Sequence, residues 1–194
     1  MYVDDLILAS ASPRRSQLLQ QLGVRFFIEP AHIDETCHVD EAAVDFVTRM
    51  ALEKAYKVSH DRSAALPVLG ADTIVLSDGI VFGKPENYGQ AREMLRSLSN
   101  NNHQVLSSVA IVNDEKSAVL VSETKVWFRT ISEAECLAYW RTGEPKDKAG
   151  AYAIQGFGAV FVERIEGSYS GVVGLPIAET SQLLRQFEIP MWQC

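Results

Sequence analysis

Two arginines stand where a short apolar run gives way to a predicted helix. In the segment 10–15, Ser12 suits the N-cap of a helix and Pro13 suits its first position. Arg14 and Arg15 then fall in the first turn, where the helix dipole favours negative charge. Guanidinium groups beside the backbone N–H groups of a helix start favour binding of an anion such as phosphate. Two solvated arginines beside a routine cap are the alternative.

Carboxylates occur at two places that suit metal binding or proton transfer. Asp72 follows the predicted buried strand 67–71, and ligands of α/β sheets gather at such strand ends. Its side chain can hold a divalent cation or activate water, or it can simply end the strand in a turn. Asp34 and Glu35 are adjacent in a predicted loop, where they can supply oxygen ligands or be solvated.

Two lysines complete the charged groups. Lys54 lies on a predicted helix beside Glu53 and Lys57, so a solvated helical face is the alternative to a binding role. Lys84 precedes Pro85 in a predicted loop and can reach a phosphate. The segment 79–85 lacks one spacer and the Ser or Thr of a P-loop. Together, two arginines, two acidic positions and two lysines are suited to a polyphosphate carrying a divalent metal.

The elements that must position these residues alternate between strands and helices. This order, with a hairpin at Asp78-Gly79, predicts an α/β fold with a mixed twisted sheet and flanking helices. A glycine-rich loop is predicted at 150–158, and no linker divides the chain, which predicts a single domain over residues 1–194 with a cleft. The predicted strands are 6–9, 26–29, 67–71, 73–76, 80–82, 104–112, 118–128 and 159–165. The predicted helices are 13–22, 40–58, 87–98, 132–143 and 178–187.

Composition excludes several classes of protein. The 194 residues carry a formal net charge of −7, which argues against general binding of nucleic acid or of an anionic membrane. No apolar run approaches the ~18 residues that a bilayer span needs. Met1–Asp5 is acidic rather than basic, which argues against a signal peptide and predicts a cytoplasmic location. Cys37, Cys136 and Cys194 are odd in number and far apart, so a disulfide framework or zinc site is not expected.

Blocks spread over nearly the whole chain resemble, in the same order, the motifs of the Maf family. They are Ser10-Ala11-Ser12-Pro13-Arg14-Arg15, Ile33-Asp34-Glu35, Glu53-Lys54-Ala55, Gly70-Ala71-Asp72-Thr73, Gly83-Lys84-Pro85, Asp147-Lys148-Ala149-Gly150-Ala151-Tyr152, Ile154-Gln155-Gly156 and Val173-Gly174-Leu175-Pro176. The resemblance implies hydrolysis of a nucleoside triphosphate to monophosphate and diphosphate with a divalent cation, Mg²⁺ or Mn²⁺. It also implies two lobes around a deep cleft, as in inosine triphosphate pyrophosphatases, and homodimers are common in the family.

The resemblance also assigns roles to matching positions. Asp72 is expected to accept a proton from water and, with Glu35, to ligate the metal. Contacts to the triphosphate are expected from Ser10, Arg14, Arg15, Lys54 and Lys84. Base preference is expected to depend on Arg14, Thr73 and Gln155, which resemble the branch that hydrolyses dTTP and UTP rather than the branch that prefers 7-methyl-GTP.

Two other functions stay open at this point. One is a nucleotide-binding regulator of septum formation without important turnover. The other is a pyrophosphatase for purine analogues such as inosine or xanthosine triphosphate.

Overall fold

A computed structural model describes residues 4–62 and 66–193 of the chain. Met1 and Cys194, which entered the predictions on compartment and cysteine pairing, lie outside the described residues. The strands are β1 (Leu6–Leu8), β2 (Phe26–Ile28), β3 (Val68–Ser77), β4 (Ile80–Phe82), β5 (Asn102–Val112), β6 (Ser117–Phe128) and β7 (Val162–Glu166). The helices are α1 (Pro13–Gln21), α2 (Ala43–Arg62), α3 (Tyr88–Leu98), α4 (Glu133–Arg141), α5 (Tyr169–Val173) and α6 (Ile177–Gln186).

The described strands form one seven-stranded sheet in the order β2-β1-β3-β5-β6-β7, with β4 paired to β3. Pairing is parallel between β1 and both β2 and β3, and antiparallel between β3 and β4 and between β6 and β7. The predicted mixed α/β sheet is therefore confirmed. None of the helices within the described ranges combines the length and apolar character that crossing a bilayer requires.

Local signals located several elements correctly. Asp78 and Gly79 both have positive φ, at 49° and 78°, as a type I′ hairpin turn requires, and Ser77 pairs with Ile80 across it. Ser132 and Glu135 form the predicted capping box at the start of α4. These features depend on hydrogen bonds between residues close in sequence, which is why the residue types alone predict them.

The prediction that a strand ends at Asp72 is wrong. β3 continues through Asp72 to Ser77, because its first residues pair with β1 and Val75 to Ser77 pair with β4. Asp72 nevertheless lies past Leu69, the position paired with the last residue of β1. It therefore follows the end of the parallel pairing with β1, although it does not end the strand.

The predicted strand 159–165 begins later than expected. Phe157–Phe161 forms a 3₁₀ segment, and β7 starts only at Val162. The backbone N–H groups of Phe157 and Gly158 donate to the Glu144 carboxylate, so they are not available to a sheet. The short helix α5 and the 3₁₀ segment Glu144–Asp147 were not predicted either.

The chain divides into two compact units. One comprises Met1–Asp72, Ser107–Ser122 and Gly174–Cys194, and the other comprises Thr73–Leu106 and Glu123–Val173. In the first unit, one cluster of buried residues joins β1, α2, β3 and the end of β5; it consists of Ile7, Ala9, Ala55, Val58, Val68 and Val112. This packing fixes α2 against β3, the strand that carries Asp72.

Gly70 sets the closest approach between α2 and β3. A Cβ atom at this position would lie 2.1 Å from the backbone oxygen of Ala51 and 2.8 Å from the backbone nitrogen of Ala55. Only glycine therefore lets the helix backbone rest directly on the strand. Because side chains alternate along a strand, Asp72 projects from the same face as Gly70, towards the helix that carries Lys54.

The core of the second unit contains a buried histidine. His103 is 2% exposed, and its Nε2 lies 2.8 Å from the hydroxyl oxygen of Tyr152. The rings of Phe128 and Tyr152 meet the imidazole edge to face, at centroid distances of 4.9 and 5.4 Å. Burial lowers the pKa of His103 from 6.5 to about 4, because the apolar surroundings disfavour the charged imidazolium.

This histidine predicts a loss of stability in mild acid. The pKa of His103 is lower in the folded than in the unfolded chain. The contribution of His103 to the free energy of unfolding is therefore fully present above pH 6.5 and is lost as the pH falls towards 4. We expect the free energy of unfolding to fall by about 2 kcal/mol more between pH 7 and pH 5 than it does in His103→Gln. Urea unfolding at both pH values measures this difference. Equal losses in the two proteins would contradict it.

Candidate active site

The turn before α1 is organised by Ser10 rather than by the predicted cap. Ser12 occupies the N-cap position, but its side chain makes no capping hydrogen bond. The backbone N–H of Ser12 instead donates to Ser10 Oγ at 3.2 Å. Ser10 is 7% exposed, so this hydroxyl is held in place beside the positive end of the helix dipole. The helix start is thus available to an anion instead of being capped by its own serine.

Arg15 links this turn to the distant segment 173–176. Its Nε donates to the backbone oxygen of Gly174 at 2.9 Å, and its Nη1 donates to Ser10 Oγ at 3.2 Å. Two of the family-like blocks, at 10–15 and 173–176, are therefore tied together by one guanidinium. The prediction that Arg15 binds phosphate stays a prediction. The structure shows a bracing role, which sequence alone did not indicate.

Lys54 joins two carboxylates. Its Nζ lies 2.8 Å from Asp72 Oδ1 and 2.6 Å from Glu35 Oε1. The side chains of Lys54 and Asp72 are only 8% and 13% exposed, whereas that of Glu35 is 53% exposed. Solvent therefore screens the Lys54–Asp72 pair weakly and the Lys54–Glu35 pair more strongly. Lys54 therefore belongs to a cluster of opposite charges and not to a solvated helical face.

Arg15 lies in the electrostatic field of the same cluster. Burial lowers the pKa of Arg15, the carboxylates of Asp72 and Glu35 counteract this, and the neighbouring Arg14 adds to it. The charges of Arg14, of the Asp72 carboxylate of β3 and of the Glu35 carboxylate of the loop thus all act on Arg15. The structure brings opposite charges from three separate segments together within the first unit.

Arg49 organises the loop that follows Glu35. Its Nε and Nη2 bind the two carboxylate oxygens of Glu41, each at 2.7 Å, and Nη2 also donates to the backbone oxygen of Thr36 at 3.1 Å. This paired hydrogen bond lowers the pKa of Glu41 to about 2. The loop is therefore fastened to α2 immediately after Glu35. Sequence gave no signal for this role, since Arg49 is one of several charges on a long helix.

The acidic pair fits a hard divalent cation. Glu35 and Asp72 both supply carboxylate oxygens, and Mg²⁺ commonly binds proteins through one or two carboxylates while keeping waters and substrate phosphates as its other ligands. Among residues 4–62 and 66–193, no group of three His, Cys, Asp or Glu side chains is arranged to hold a metal by itself. The positive charge between the two carboxylates is that of the Lys54 ammonium, so the pair already accommodates a cation.

The remaining predicted residues belong to the second unit. Lys84 is exposed after β4, and the backbone N–H of Gly150 donates to the oxygen of Gly83 at 3.1 Å, so the blocks 83–85 and 147–152 are neighbours. Gln155 is exposed in the turn before the 3₁₀ segment. Thr73 follows Asp72 directly in β3. The predicted residues therefore fall into two groups, six in the first unit and three in the second.

Comparison with known proteins places the chain beside a family and several relatives. The Maf family, described as Maf-like protein, matches residues 5–187. The chain is 50% identical over 189 residues to a dTTP/UTP pyrophosphatase of Hahella chejuensis, covering 96% of this chain and 94% of that protein. It is 47% identical over 192 residues to a dTTP/UTP pyrophosphatase of Saccharophagus degradans, covering 97% and 91%. A solved nucleoside-triphosphatase / dITP/XTP pyrophosphatase from Mycobacterium abscessus aligns over 94% of both chains, with a TM-score of 0.45 and 16% identity.

The match to the family covers nearly the whole described chain, and it includes every block that carries a candidate residue. Because relatives about half identical to it align over almost their full length, this chain belongs to the Maf family.

Proposed function

We propose that this protein hydrolyses dTTP and UTP to the corresponding monophosphate and diphosphate, with a divalent cation. The observation that carries the proposal is the cluster in which Lys54 joins Asp72 and Glu35 within the electrostatic field of Arg15. Positively charged groups suited to phosphate thereby lie beside carboxylates. The carboxylates are suited to binding a metal or accepting a proton. The names of the similar proteins from Hahella chejuensis and Saccharophagus degradans support the substrate assignment.

The triphosphate is proposed to bind at the start of α1. Ser10 Oγ accepts hydrogen bonds from Ser12 and Arg15, and its own hydroxyl hydrogen can then donate to a phosphate oxygen. Arg14, half-buried in the first turn, supplies a planar guanidinium for charge-assisted hydrogen bonds. Arg15 contributes charge while it braces the turn. Lys84 is proposed to neutralise a further phosphate charge.

Asp72 is proposed to accept the proton of the attacking water. Asp72 as a whole residue is 9% exposed, and Lys54 holds its carboxylate. The position of the carboxylate is therefore fixed before substrate binds. Water that has given its proton to Asp72 is a stronger nucleophile towards phosphorus. As it attacks, the phosphoanhydride bond between the α- and β-phosphates breaks and diphosphate leaves. Lys54 then balances the negative charge that develops between the carboxylates and the phosphates.

Glu35 and Asp72 are the residues proposed to hold the divalent cation. When bound, Mg²⁺ or Mn²⁺ supplies Lewis-acid neutralisation of the phosphate oxygens. Glu35 is the more exposed of the two carboxylates, and Arg49 holds the loop beside it through the Thr36 backbone oxygen. This arrangement lets Glu35 adjust to a cation while Asp72 stays fixed.

The base preference is assigned to Arg14, Thr73 and Gln155. A Gln side chain can donate and accept hydrogen bonds at once, which matches the imide edge of thymine or uracil. The exposed position of Gln155 suits a residue that meets a ligand. Cytosine presents the opposite pattern, because its amino group is a donor where thymine has an acceptor oxygen.

A panel of nucleoside triphosphates tests the proposal. Purified protein with Mg²⁺ or Mn²⁺ should release diphosphate from dTTP and UTP faster than from dCTP, dATP or GTP. The panel includes inosine and xanthosine triphosphates, and faster hydrolysis of those would favour the purine-analogue function instead. Absence of diphosphate release from every nucleotide would refute the proposal and favour a regulator that only binds nucleotide.

Replacing Arg14 should weaken transition-state binding. We expect Arg14→Ala to lower kcat/KM for dTTP about 10- to 100-fold, the loss expected when a hydrogen bond to a charged group worth ~1.5–3 kcal/mol disappears. Steady-state diphosphate release measures the change. Arg141→Ala, at an exposed position at the end of α4, is the control and should keep wild-type kinetics. Equal kinetics for both variants would remove Arg14 from the proposed site.

The cytoplasm is the compartment proposed for this reaction. Cys37 and Cys136 are both free thiols, and Cys37 is exposed, as is usual for proteins of reducing compartments. A homodimer is proposed from the resemblance to the family, and sedimentation of the purified protein tests it.

A further inference from the structure

One carboxylate holds the turn that carries Gln155. The backbone N–H of Phe157 donates to Glu144 Oε2 at 3.0 Å, and that of Gly158 donates to Glu144 Oε1 at 3.0 Å. Two consecutive amides after Gln155 are therefore bound by the two oxygens of a single side chain. An acidic side chain can accept both bonds because each of its oxygens carries lone pairs and no hydrogen.

Tyr139 extends this hold to the residues before Gln155. Its hydroxyl donates to Glu144 Oε1 at 2.7 Å and accepts from the backbone N–H of Ala153 at 3.0 Å. Tyr139 is 4% exposed, so the hydroxyl is fixed by the core of the second unit. The backbone is thus fastened on both sides of Gln155 by one hydrogen-bonded pair, Tyr139 and Glu144.

Gly156 makes this arrangement possible. A Cβ atom at Gly156 would lie 2.0 Å from Glu144 Oε2 and 2.5 Å from the carboxylate carbon. The carboxylate therefore occupies the space that any other side chain at position 156 would need. The glycine of the Ile154-Gln155-Gly156 block is explained by the close approach of Glu144.

Glu144 remains ionised at neutral pH. Burial by itself raises the pKa of this carboxyl, but the hydrogen bonds from Gly158, Tyr139 and Phe157 outweigh it, so the pKa lies below its ordinary value. Hydrogen bonds to an ionised acceptor are about twice as strong as neutral ones. The turn is consequently held more firmly than its exposed position would suggest.

The side chains of the turn divide between core and solvent. Ile154 is 7% exposed and belongs to the core cluster, while Gln155 is exposed. An anchored backbone with one exposed amide is suited to recognition, because little ordering entropy is lost when the amide meets a ligand.

We infer that Glu144, together with Tyr139, is a positioning residue for base recognition: it fixes the backbone from which Gln155 presents its amide to the pyrimidine. The inference rests on the proposed function, in which Gln155 distinguishes thymine and uracil from other bases. Glu144 itself contacts no substrate in this scheme and acts only through Gln155.

The first test compares base discrimination in variants. In Glu144→Gln the amide nitrogen is a donor and cannot accept a backbone N–H, so one of the two bonds to the turn is lost. We expect the ratio of kcat/KM for dTTP to kcat/KM for dCTP to fall about 10-fold, mainly through a higher KM for dTTP. A general structural fault would lower kcat/KM for both nucleotides equally and would leave this ratio unchanged.

Glu135→Gln is the matched control. Glu135 lies in the same unit, and its hydrogen bonds within the described part of the chain go to Ser132 and Arg129, outside residues 153–158. Its replacement should cost stability and leave the discrimination ratio at the wild-type value. An equal fall of the ratio in both variants would overturn the inference.

A double-mutant cycle separates this inference from the proposed function. Gln155→Ala should lower the ratio by itself, and adding Glu144→Gln should lower it no further, because Glu144 acts through Gln155. An unchanged ratio in Glu144→Gln, beside a lowered ratio in Gln155→Ala, overturns the inference alone. Wild-type protein without diphosphate release, or a wild-type ratio in Gln155→Ala, overturns the proposed role of Gln155 and the inference with it.

Hydrogen exchange gives a readout that needs no activity. In the wild type, the amides of Phe157 and Gly158 should exchange slowly, and Glu144→Gln should accelerate exchange at least about 10-fold at whichever of the two loses its acceptor. If Glu144→Gln fails to fold, Tyr139→Phe removes only one hydroxyl and should accelerate exchange at Ala153. Wild-type exchange at these amides in the folded variants would overturn the inference.

Discussion

Asp72→Asn should lower kcat for diphosphate release from dTTP by about 1,000-fold or more, while nucleotide binding persists. A general base contributes about 10²- to 10⁴-fold, and the asparagine amide can neither accept the water proton nor match the carboxylate as a metal ligand. The change preserves shape, and Lys54 keeps its contact with Glu35. Steady-state kinetics with Mg²⁺ measure the loss, and calorimetric titration with dTTP measures the binding.

Asp78→Asn is the control for this variant. Asp78 lies on the same chain segment at the β3–β4 turn, has a φ of 49°, and is exposed. Asparagine tolerates this left-handed conformation well, so the control should fold and turn over as the wild type does. Full activity in Asp72→Asn would exclude Asp72 as the base. A loss of nucleotide binding equal to the loss of kcat would instead assign it a role in binding alone.

Lys54→Met should cost both stability and activity. Methionine keeps the length of the side chain but leaves the nearly buried Asp72 carboxylate without its partner at 2.8 Å. Removing one member of a buried ion pair typically costs about 3–5 kcal/mol, because the other charge stays buried and uncompensated. We expect the free energy of unfolding to fall by about 3 kcal/mol and kcat/KM to fall at least about 100-fold. Urea unfolding and diphosphate release measure the two effects.

Lys57→Met, one turn further along α2, is the control for stability. Lys57 pairs with Asp61 at 3.0 Å, but both side chains are about half exposed, so its loss should cost under ~0.5 kcal/mol. The double variant Lys54→Met/Asp72→Asn should regain most of the stability lost in Lys54→Met, because the uncompensated charge is gone. The buried pair has no measurable role in folding if Lys54→Met and Lys57→Met unfold at the same urea concentration.

Prediction from sequence was most accurate for structural features that depend on residues close together in the chain. The helix start at Pro13, the Asp78-Gly79 turn and the capping box of α4 all appear in the structure where the residue types indicated them. The mixed sheet also followed, since alternating strands and helices leave few other arrangements. Strand bounds were less accurate, because β3 and β7 depend on the partners with which they pair.

The roles of single side chains within the site required the fold. Arg15 contacts the oxygen of Gly174 across a sequence separation of 159 residues, and no local pattern indicates such a contact. The same holds for Glu144, whose carboxylate meets the amides of Phe157 and Gly158 only after the turn has folded over it. Hydrogen bonds of this kind are selected by packing, and packing depends on the whole chain.

By itself, the sequence determined which charged residues are present, the order of the elements and the family to which the chain belongs, because these follow from residue types and short spacings. Only the tertiary structure decided that Lys54 stands between Glu35 and Asp72. The physical reason is the close approach of α2 to β3 at Gly70, where the absence of a side chain lets two distant segments place opposite charges within 3 Å. Distance in space, and with it the strength of the charge interactions, is a property that sequence spacing does not contain.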